Sequence, residues 1–531
     1  MTNDQFKIQN SKFNIQNLND RRWAMGWAVA MLALSCVPYL VAVWLAPDGW
    51  HFAGIIVNPL DGHSYLAKMR QGFDGAWRFH LPYTPEPHQG VFIYPHYLAL
   101  GHLARLTGLP LVWMFHLARL AAGLALLMAA YRFILRLAPD RQTRRLAFIL
   151  LLTASGLGWL GVLFGAFPID LWIPEAFVPY SLLTNPHFPL GMALMLVILG
   201  KIGGMGDWKV GRLGDWGVGL TALGLAVVLP FGLLTVWAVL AVWLGWQTWS
   251  RRQIPLSQLR QVALTVLFGG PVIGYDYWVS VSNPAMAAWS AQNITPAPPP
   301  VDVLLGYGPL GLAALLGGWH VVRQKNRTAA EWLVVWWAVV TLGLVYLPFN
   351  LQRRLITGLH IPLVILAAVG LTRGLHGHRY QRAAIRGVVG LSALGTLAVW
   401  TLPLLGLLSP PTPASLSALF FLRQDERQAL EWLDSRTGPE DVVLASPRLG
   451  IFVPEYTGAR TFYGHPFETI DARNRQAQAT AFFRGEIETV TPVPDFIIYG
   501  PSERALGKAK GLARHRKIFE IGETAIYEVT K

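Results

Sequence analysis

Charge is scarce in this chain. Only 14% of its 531 residues are Asp, Glu, Lys or Arg, and 53% are hydrophobic, too little polarity to cover a soluble protein of this length. Cysteine is scarcer still. Cys36 is the only one, which excludes intrachain disulfides and multi-thiolate metal or redox centres. There is no G-x-x-x-x-G-K-[ST] loop, so ATP is not the energy source, and no G-x-S-x-G elbow, which argues against a serine hydrolase. Seven of the 14 histidines fall between His51 and His116, yet none forms an H-x-x-x-H or similar pair, so a dedicated zinc site is unsupported. No small-residue cleavage site follows the first apolar run, Trp23 to Leu45, so it is expected to be a retained span rather than a signal peptide.

What the chain has instead is long apolar runs. They lie near 23–45, 110–137, 146–166, 187–202, 258–279, 303–322, 331–349, 355–372 and 384–408, each about the length of a bilayer crossing. A further run, Trp216 to Trp249, is too long for one crossing and carries Pro230 near its middle. Positive charge settles how to count it. Two short helices put Arg251-Arg252, Arg323, Lys325, Arg327, Arg373, Arg379 and Arg382 on the side of Arg21-Arg22, Arg141, Arg144-Arg145, Lys209 and Arg212. One helix would turn the later clusters outward. The expectation is an α-helical bundle of about eleven spans, its N-terminus cytoplasmic, in the plasma (inner) membrane. The net charge of +14 then marks cytoplasmic loops beside anionic lipid, not a nucleic-acid partner.

Three domains are expected. Residues 1–22, with the small repeat Phe6-Lys-Ile-Gln-Asn10 and Phe13-Asn-Ile-Gln-Asn17, form a disordered cytoplasmic tail; residues 23–408 form the membrane domain, with a first outer loop at 46–109. From 409 to 531 the chain is charged and its hydrophobic runs shorten to strand length. Helices are predicted over Arg423–Ser435, Thr469–Phe483 and Ser502–Ala513, strands over Val442–Ala445 and Asp495–Tyr499, and a hairpin over Lys517–Val529 with Gly522 at its turn. That alternation describes a small extracytoplasmic α/β domain, joined through Pro410-Pro411-Thr412-Pro413. Within it, Tyr463-Gly464-His465-Pro466-Phe467-Glu468 reads as a turn and helix start.

The first outer loop opens on Asn58-Pro59-Leu60-Asp61-Gly62-His63-Ser64-Tyr65 and closes on Gly75-Ala76-Trp77. Between them Leu66, Met69, Phe73 and Trp77 recur at helical spacing as one apolar face, with Lys68, Arg70, Gln71 and Asp74 opposite. Such a helix would lie along the membrane surface and hold Asp61 at its N-terminal end; the plain alternative makes Asp61 an N-cap. Other outer-face polar residues include His96, Asp170 and Glu175. The outer loops 167–186 and 280–302 contain no Lys or Arg, so Arg353-Arg354, in a short outer loop, stand out. Snorkelling would explain them; so would binding of an anion. A carboxylate with a cationic clamp at a lipid–water boundary suits group transfer from a lipid-linked phosphate. The phosphate leaving group needs charge stabilisation, and a hydroxyl or amine acceptor needs a base.

Asp61-x-x-x-Tyr65 followed by Gly75-x-Trp77, then Tyr94-Pro95-His96-Tyr97 to Gly108 and Arg119-Leu120, resembles the GT-C superfamily of membrane glycosyltransferases. Aminoarabinose transferases, protein O-mannosyltransferases and oligosaccharyltransferases belong to it. The resemblance implies an inverting transferase that moves a sugar from a polyprenyl-phosphate donor to a glycan, lipid or protein acceptor on the extracytoplasmic face. It implies Asp61 as the catalytic acid residue, with Arg353 or Arg354 on the donor phosphate and Tyr65, His63 and His96 as substrate-binding candidates. The family often has a second acidic residue directly after the first, and here that position is Gly62. Asp170 and Glu175 are the candidates for the missing carboxylate, and magnesium or manganese is the cofactor such a pair would take. Two rivals stay open: a multi-pass transporter or lipid flippase, and an outer-face polysaccharide polymerase or ligase. A transporter calls for ionisable residues or paired helix breaks near mid-bilayer, and this chain has one break, at Pro230.

Overall fold

A computed structural model describes residues 3–205, 214–326, 328–408, 411–412 and 415–530. Lys209, Arg212 and Arg327, and Pro410 and Pro413 of the expected linker, lie outside them. Every apolar run of the sequence is helical. Among the described residues seven helices are long and apolar enough to cross a membrane: Asn19–Trp44, Leu111–Leu137, Pro230–Arg251, Leu256–Ser282, Pro300–Arg323, Gln352–Gly374 and Gln381–Gly406. An eighth crossing is available if Arg141–Thr153 and Gly158–Phe164, bent by 41°, count as one span. His187–Ile202, Trp216–Val228 and Ala329–Val345 are apolar but shorter. The expected eleven spans therefore correspond to eleven helical segments, of which seven or eight meet the length of a crossing. The long run does break where expected: the helices Trp216–Val228 and Pro230–Arg251 meet at Leu229 (φ −153°, ψ 75°), because proline denies the preceding residue helical geometry.

The helix carrying the first span is continuous from Asn3 to Trp44, where a disordered tail over residues 1–22 was expected. Neither proline nor glycine interrupts the chain before Gly26, so an apolar helix, once nucleated, extends into the polar leader at little cost.

The chain divides into two compact units. One comprises Met1–Val37, Arg119–Gly269 and Pro296–Trp400; the other comprises Pro38–Ala118, Gly270–Thr295 and Thr401–Lys531. This grouping differs from a cut at residue 408. The first loop shares a unit with the C-terminal segment and with the adjoining ends of the two helices that flank it.

In the first unit, Gly317 approaches Leu366 so closely that a Cβ there would sit 1.8 Å from the Leu366 carbonyl, a small-residue crossing typical of membrane helices. Arg119 is buried and donates to the Leu182 carbonyl at 2.6 Å and to Ser35 Oγ at 3.0 Å; a buried cation needs such acceptors. Asp20, also buried, receives Arg141, Arg144 and Arg145.

In the second unit a five-stranded sheet runs in the order Arg460–Thr461, Val442–Leu444, Phe496–Tyr499, Thr524–Glu528, Arg516–Ile521. The first three strands are parallel and the last three antiparallel. Side chains alternate across the strands. Val443, Ile498 and Ile526 face one core with Ala429, Leu430 and Leu433 of helix Gln424–Asp434. Val442, Leu444 and Ile497 face another with Ala479, Phe482 and Phe483 of helix Ala472–Arg484. The predicted hairpin forms with Gly522 at φ 54°. The predicted helix 502–513 does not: Gly507, at φ 159°, interrupts it, leaving Pro501–Arg504 and a 3₁₀ turn at Lys510–Arg514. An unforeseen second sheet pairs Trp50–Phe52 antiparallel with Phe421–Arg423, stitching the first loop to the C-terminal segment.

Candidate functional site

The loop helix runs from Pro59 to Phe73. Asn58 precedes it in the left-handed region (φ 50°), with proline at the first helical position, which pre-sets the φ the helix needs. Asp61 is therefore third in the helix and not its N-cap. Leu66 and Met69 are buried with Phe73 packed beside them, against Tyr97, Ala104 and Phe115. The partner helix Pro95–Thr107 comes close enough that a Cβ at Gly101 would sit 1.9 Å from the Met69 carbonyl, and one at Gly72 2.0 Å from that of Leu98. Trp77 extends this face only loosely: it stacks on His102 at 4.1 Å and stays 56% exposed.

The opposite face, which carries Lys68 and Arg70, is not left to solvent. Lys68 is fully buried. Its Nζ donates to Glu468 at 2.8 Å and to the Ser64 hydroxyl, and Ser64 also donates to Glu468. His63 is buried as well, with Nδ1 2.7 Å from Glu455 and Nε2 3.0 Å from the Leu419 carbonyl. Arg70 bridges Asp74 at 2.8 Å and Asp434 at 2.5 Å. The C-terminal segment covers this face, and each buried polar group has a partner on it, as burial demands. His63 is thereby committed to the packing between the two segments.

Asp61 remains one-third exposed. Its carboxylate accepts from the Asn58 amide at 2.6 Å and faces His465 Nε2 at 3.7 Å. Tyr65 stacks flat on Tyr97 at 4.5 Å, and His96 lies against the same ring at 4.1 Å. Tyr65, Tyr97 and His96 thus form a row of rings, with Asp61 four residues before Tyr65 on the loop helix. The absent second acid has a steric reason. A Cβ at Gly62 would sit 2.5 Å from Ile55 Cγ2, so no carboxylate fits there without moving Ile55.

The remaining candidates belong to the other unit. Glu175, 2% exposed, receives Arg354 at 3.1 Å, and Arg353 lies 5.0 Å from the ring centre of Trp172. Both arginines open the span Gln352–Gly374. Glu175 thus holds a guanidinium in place. Asp170 is engaged differently. One of its oxygens accepts the backbone N–H groups of Gly156 and Gly158 at 3.0 Å and the Ser155 hydroxyl at 3.3 Å. It braces the bend between Arg141–Thr153 and Gly158–Phe164. Burial pushes its carboxyl up to about 6 against those hydrogen bonds.

Among the described residues no group of three or more His, Cys, Asp or Glu is gathered as a metal-binding set. Asp61 and the Asp170–Glu175 pair also fall in different units.

These features define a polytopic helical membrane protein with a mixed-sheet appendage and an acidic residue on a loop helix. No protein-family model matches the sequence, and no curated protein matches it. Solved structures do. ArnT from Cupriavidus metallidurans bound to undecaprenyl phosphate matches with a TM-score of 0.51 at 16% identity, over 94% of this chain and 98% of that one; its apo form gives 0.50 at 15%, over 95% and 98%. The Archaeoglobus fulgidus oligosaccharyltransferase in complex with zinc and sulfate gives 0.50 at 12%, over 89% of this chain and 67% of that one. These are GT-C superfamily membrane glycosyltransferases, and this chain has the GT-C fold, as the sequence resemblance implied.

Proposed function

We propose that this protein is an inverting glycosyltransferase that moves a sugar from a polyprenyl-phosphate donor to an acceptor on the extracytoplasmic face. The observation that carries the proposal is a fold likeness running the length of both chains, together with a partly exposed carboxylate, Asp61, at the N-terminal end of the loop helix. Asp61 takes the proton of the acceptor hydroxyl or amine. The acceptor attacks the anomeric carbon opposite the phosphate, so the new bond forms as the carbon–oxygen bond to phosphate breaks. The configuration inverts, and polyprenyl phosphate leaves as an anion. Arg354, steadied by Glu175, and its neighbour Arg353 suit that anion as fork-shaped donors. No covalent nucleophile is needed.

The assay follows release of undecaprenyl phosphate from a panel of radiolabelled undecaprenyl-phosphate sugars. Purified full-length protein is supplied with a membrane lipid and glycan extract as acceptor. Arg353→Ala combined with Arg354→Ala raises the donor KM by about ten- to a hundredfold, the range for hydrogen bonds to a charged group. The acceptor KM changes far less. A selective rise in acceptor KM would reassign the pair. The proposed orientation has its own test. Reporter fusions after Asp140, Ser290 and Phe420 read inside, outside and outside; a cytoplasmic signal at Phe420 would mean that the two helices meeting at Pro230 make a single crossing.

A further inference from the structure

His465 is 1% exposed and belongs to no regular element, yet its ring is fixed at both ends. Nδ1 accepts two backbone N–H groups, from Phe467 and Glu468, each at 3.1 Å. The turn is closed by the Thr469 N–H on the His465 carbonyl at 3.0 Å and by the His465 N–H on Thr469 Oγ1 at 3.3 Å. A nitrogen that accepts two N–H groups cannot carry a proton of its own, so the neutral ring holds its hydrogen on Nε2. Nε2 is the atom facing Asp61 Oδ1, at 3.7 Å, and no hydrogen bond satisfies it. A buried N–H aimed at a carboxylate just beyond bonding distance closes onto it when the site fills, since hydrogen bonds in empty active sites are often long.

We infer that His465 is the positioning residue of Asp61: its Nε2–H, set by the backbone of residues 465–468, orients the carboxylate that receives the acceptor proton. His465 is not a proton relay, because protonating Nδ1 would displace two backbone donors. The arrangement also gives the C-terminal segment a part in the reaction chemistry. Tyr83, its ring centre 5.6 Å from that of His465, packs beside it. Glu468, bonded to Lys68 and Ser64, ends the turn on the loop helix that carries Asp61. The inference rests on the reading of Asp61 as the base.

Two substitutions separate the two ends of the ring. His465→Asn places an amide oxygen where Nδ1 stands and keeps the turn, but has nothing at Nε2. His465→Gln places an amide N–H near Nε2 and loses the acceptor of the turn. In the undecaprenyl-phosphate sugar assay, H465N is expected to lower kcat about ten- to a hundredfold, the effect of one hydrogen bond to a charged group. Its donor KM and thermal midpoint stay close to those of the parent. H465Q is expected to unfold at lower temperature yet keep the higher kcat of the two.

A purely structural histidine gives the reverse, with activity following stability and H465N the better enzyme. That result overturns the assignment, as does equal activity of the two variants, whether at the level of the parent or of Asp61→Asn. The parent and Asp61→Asn, measured alongside, keep the two readings apart. A parent without transfer, or an active Asp61→Asn, refutes the base itself. An active parent with an inactive Asp61→Asn and the wrong order at position 465 refutes only the positioning role.

Discussion

Asp61→Asn is expected to cut sugar transfer from an undecaprenyl-phosphate donor by about 10²- to 10⁴-fold, the range that general-base catalysis contributes. The substitution keeps size and polarity. Asn58 still has an oxygen to donate to, and the loop helix still begins with proline on a left-handed Asn58. Folding and membrane insertion should therefore be unaffected, and the loss should appear in kcat. Gly62 sharpens the expectation. Position 62 is glycine, so no adjacent carboxylate stands ready to replace Asp61. A variant that transfers sugar at the parent rate would remove Asp61 from the reaction.

The second large effect is on stability. Glu468→Ala leaves the Lys68 ammonium buried, with the Ser64 hydroxyl as its remaining hydrogen-bond partner among the described residues. Breaking a buried ion pair from one side costs about 3–5 kcal/mol, and the thermal midpoint in detergent should fall sharply. Lys68→Met combined with Glu468→Met should recover most of the loss, because a matched apolar replacement leaves no stranded charge.

The pair also sets a pH dependence. Burial by itself would raise the Glu468 carboxyl, but the Lys68 ammonium and the Ser64 hydroxyl hold it below the ordinary value of 4.5. A depressed carboxyl contributes stability above its unfolded value, and that stability is lost as pH falls through the folded value. The gap between the parent and Glu468→Ala should accordingly be full near neutrality and shrink below about pH 4.5. Equal midpoints at pH 7 would show that Lys68 does not depend on Glu468.

Much of this fold was legible because its signals are local. The apolar runs mark helices by composition alone, Pro230 breaks one of them, and Gly522 supplies the positive φ of the closing hairpin. The loop helix announced itself through Leu66, Met69 and Phe73. What stayed hidden depends on partners far along the chain. Lys68 reads as a solvated charge until Glu468, about four hundred residues later, covers it. Trp50–Phe52 and Arg460–Thr461 are too short to carry a strand pattern and exist through their pairing. Asp170 looked like a loop carboxylate available for chemistry. The glycines at 156 and 158, whose backbone N–H groups it receives, give no such hint in sequence. His465 was visible only as part of a turn, since its tautomer depends on where that turn folds.

The central claim is inversion at the sugar carbon by direct displacement of a lipid phosphate. Its most direct test is the anomeric configuration of the product formed by the purified parent protein from an undecaprenyl-phosphate sugar of known configuration, read by NMR. The product is predicted to carry the opposite configuration, with one undecaprenyl phosphate released per sugar moved. Retained configuration, or donor left intact in the presence of acceptor, would contradict the claim.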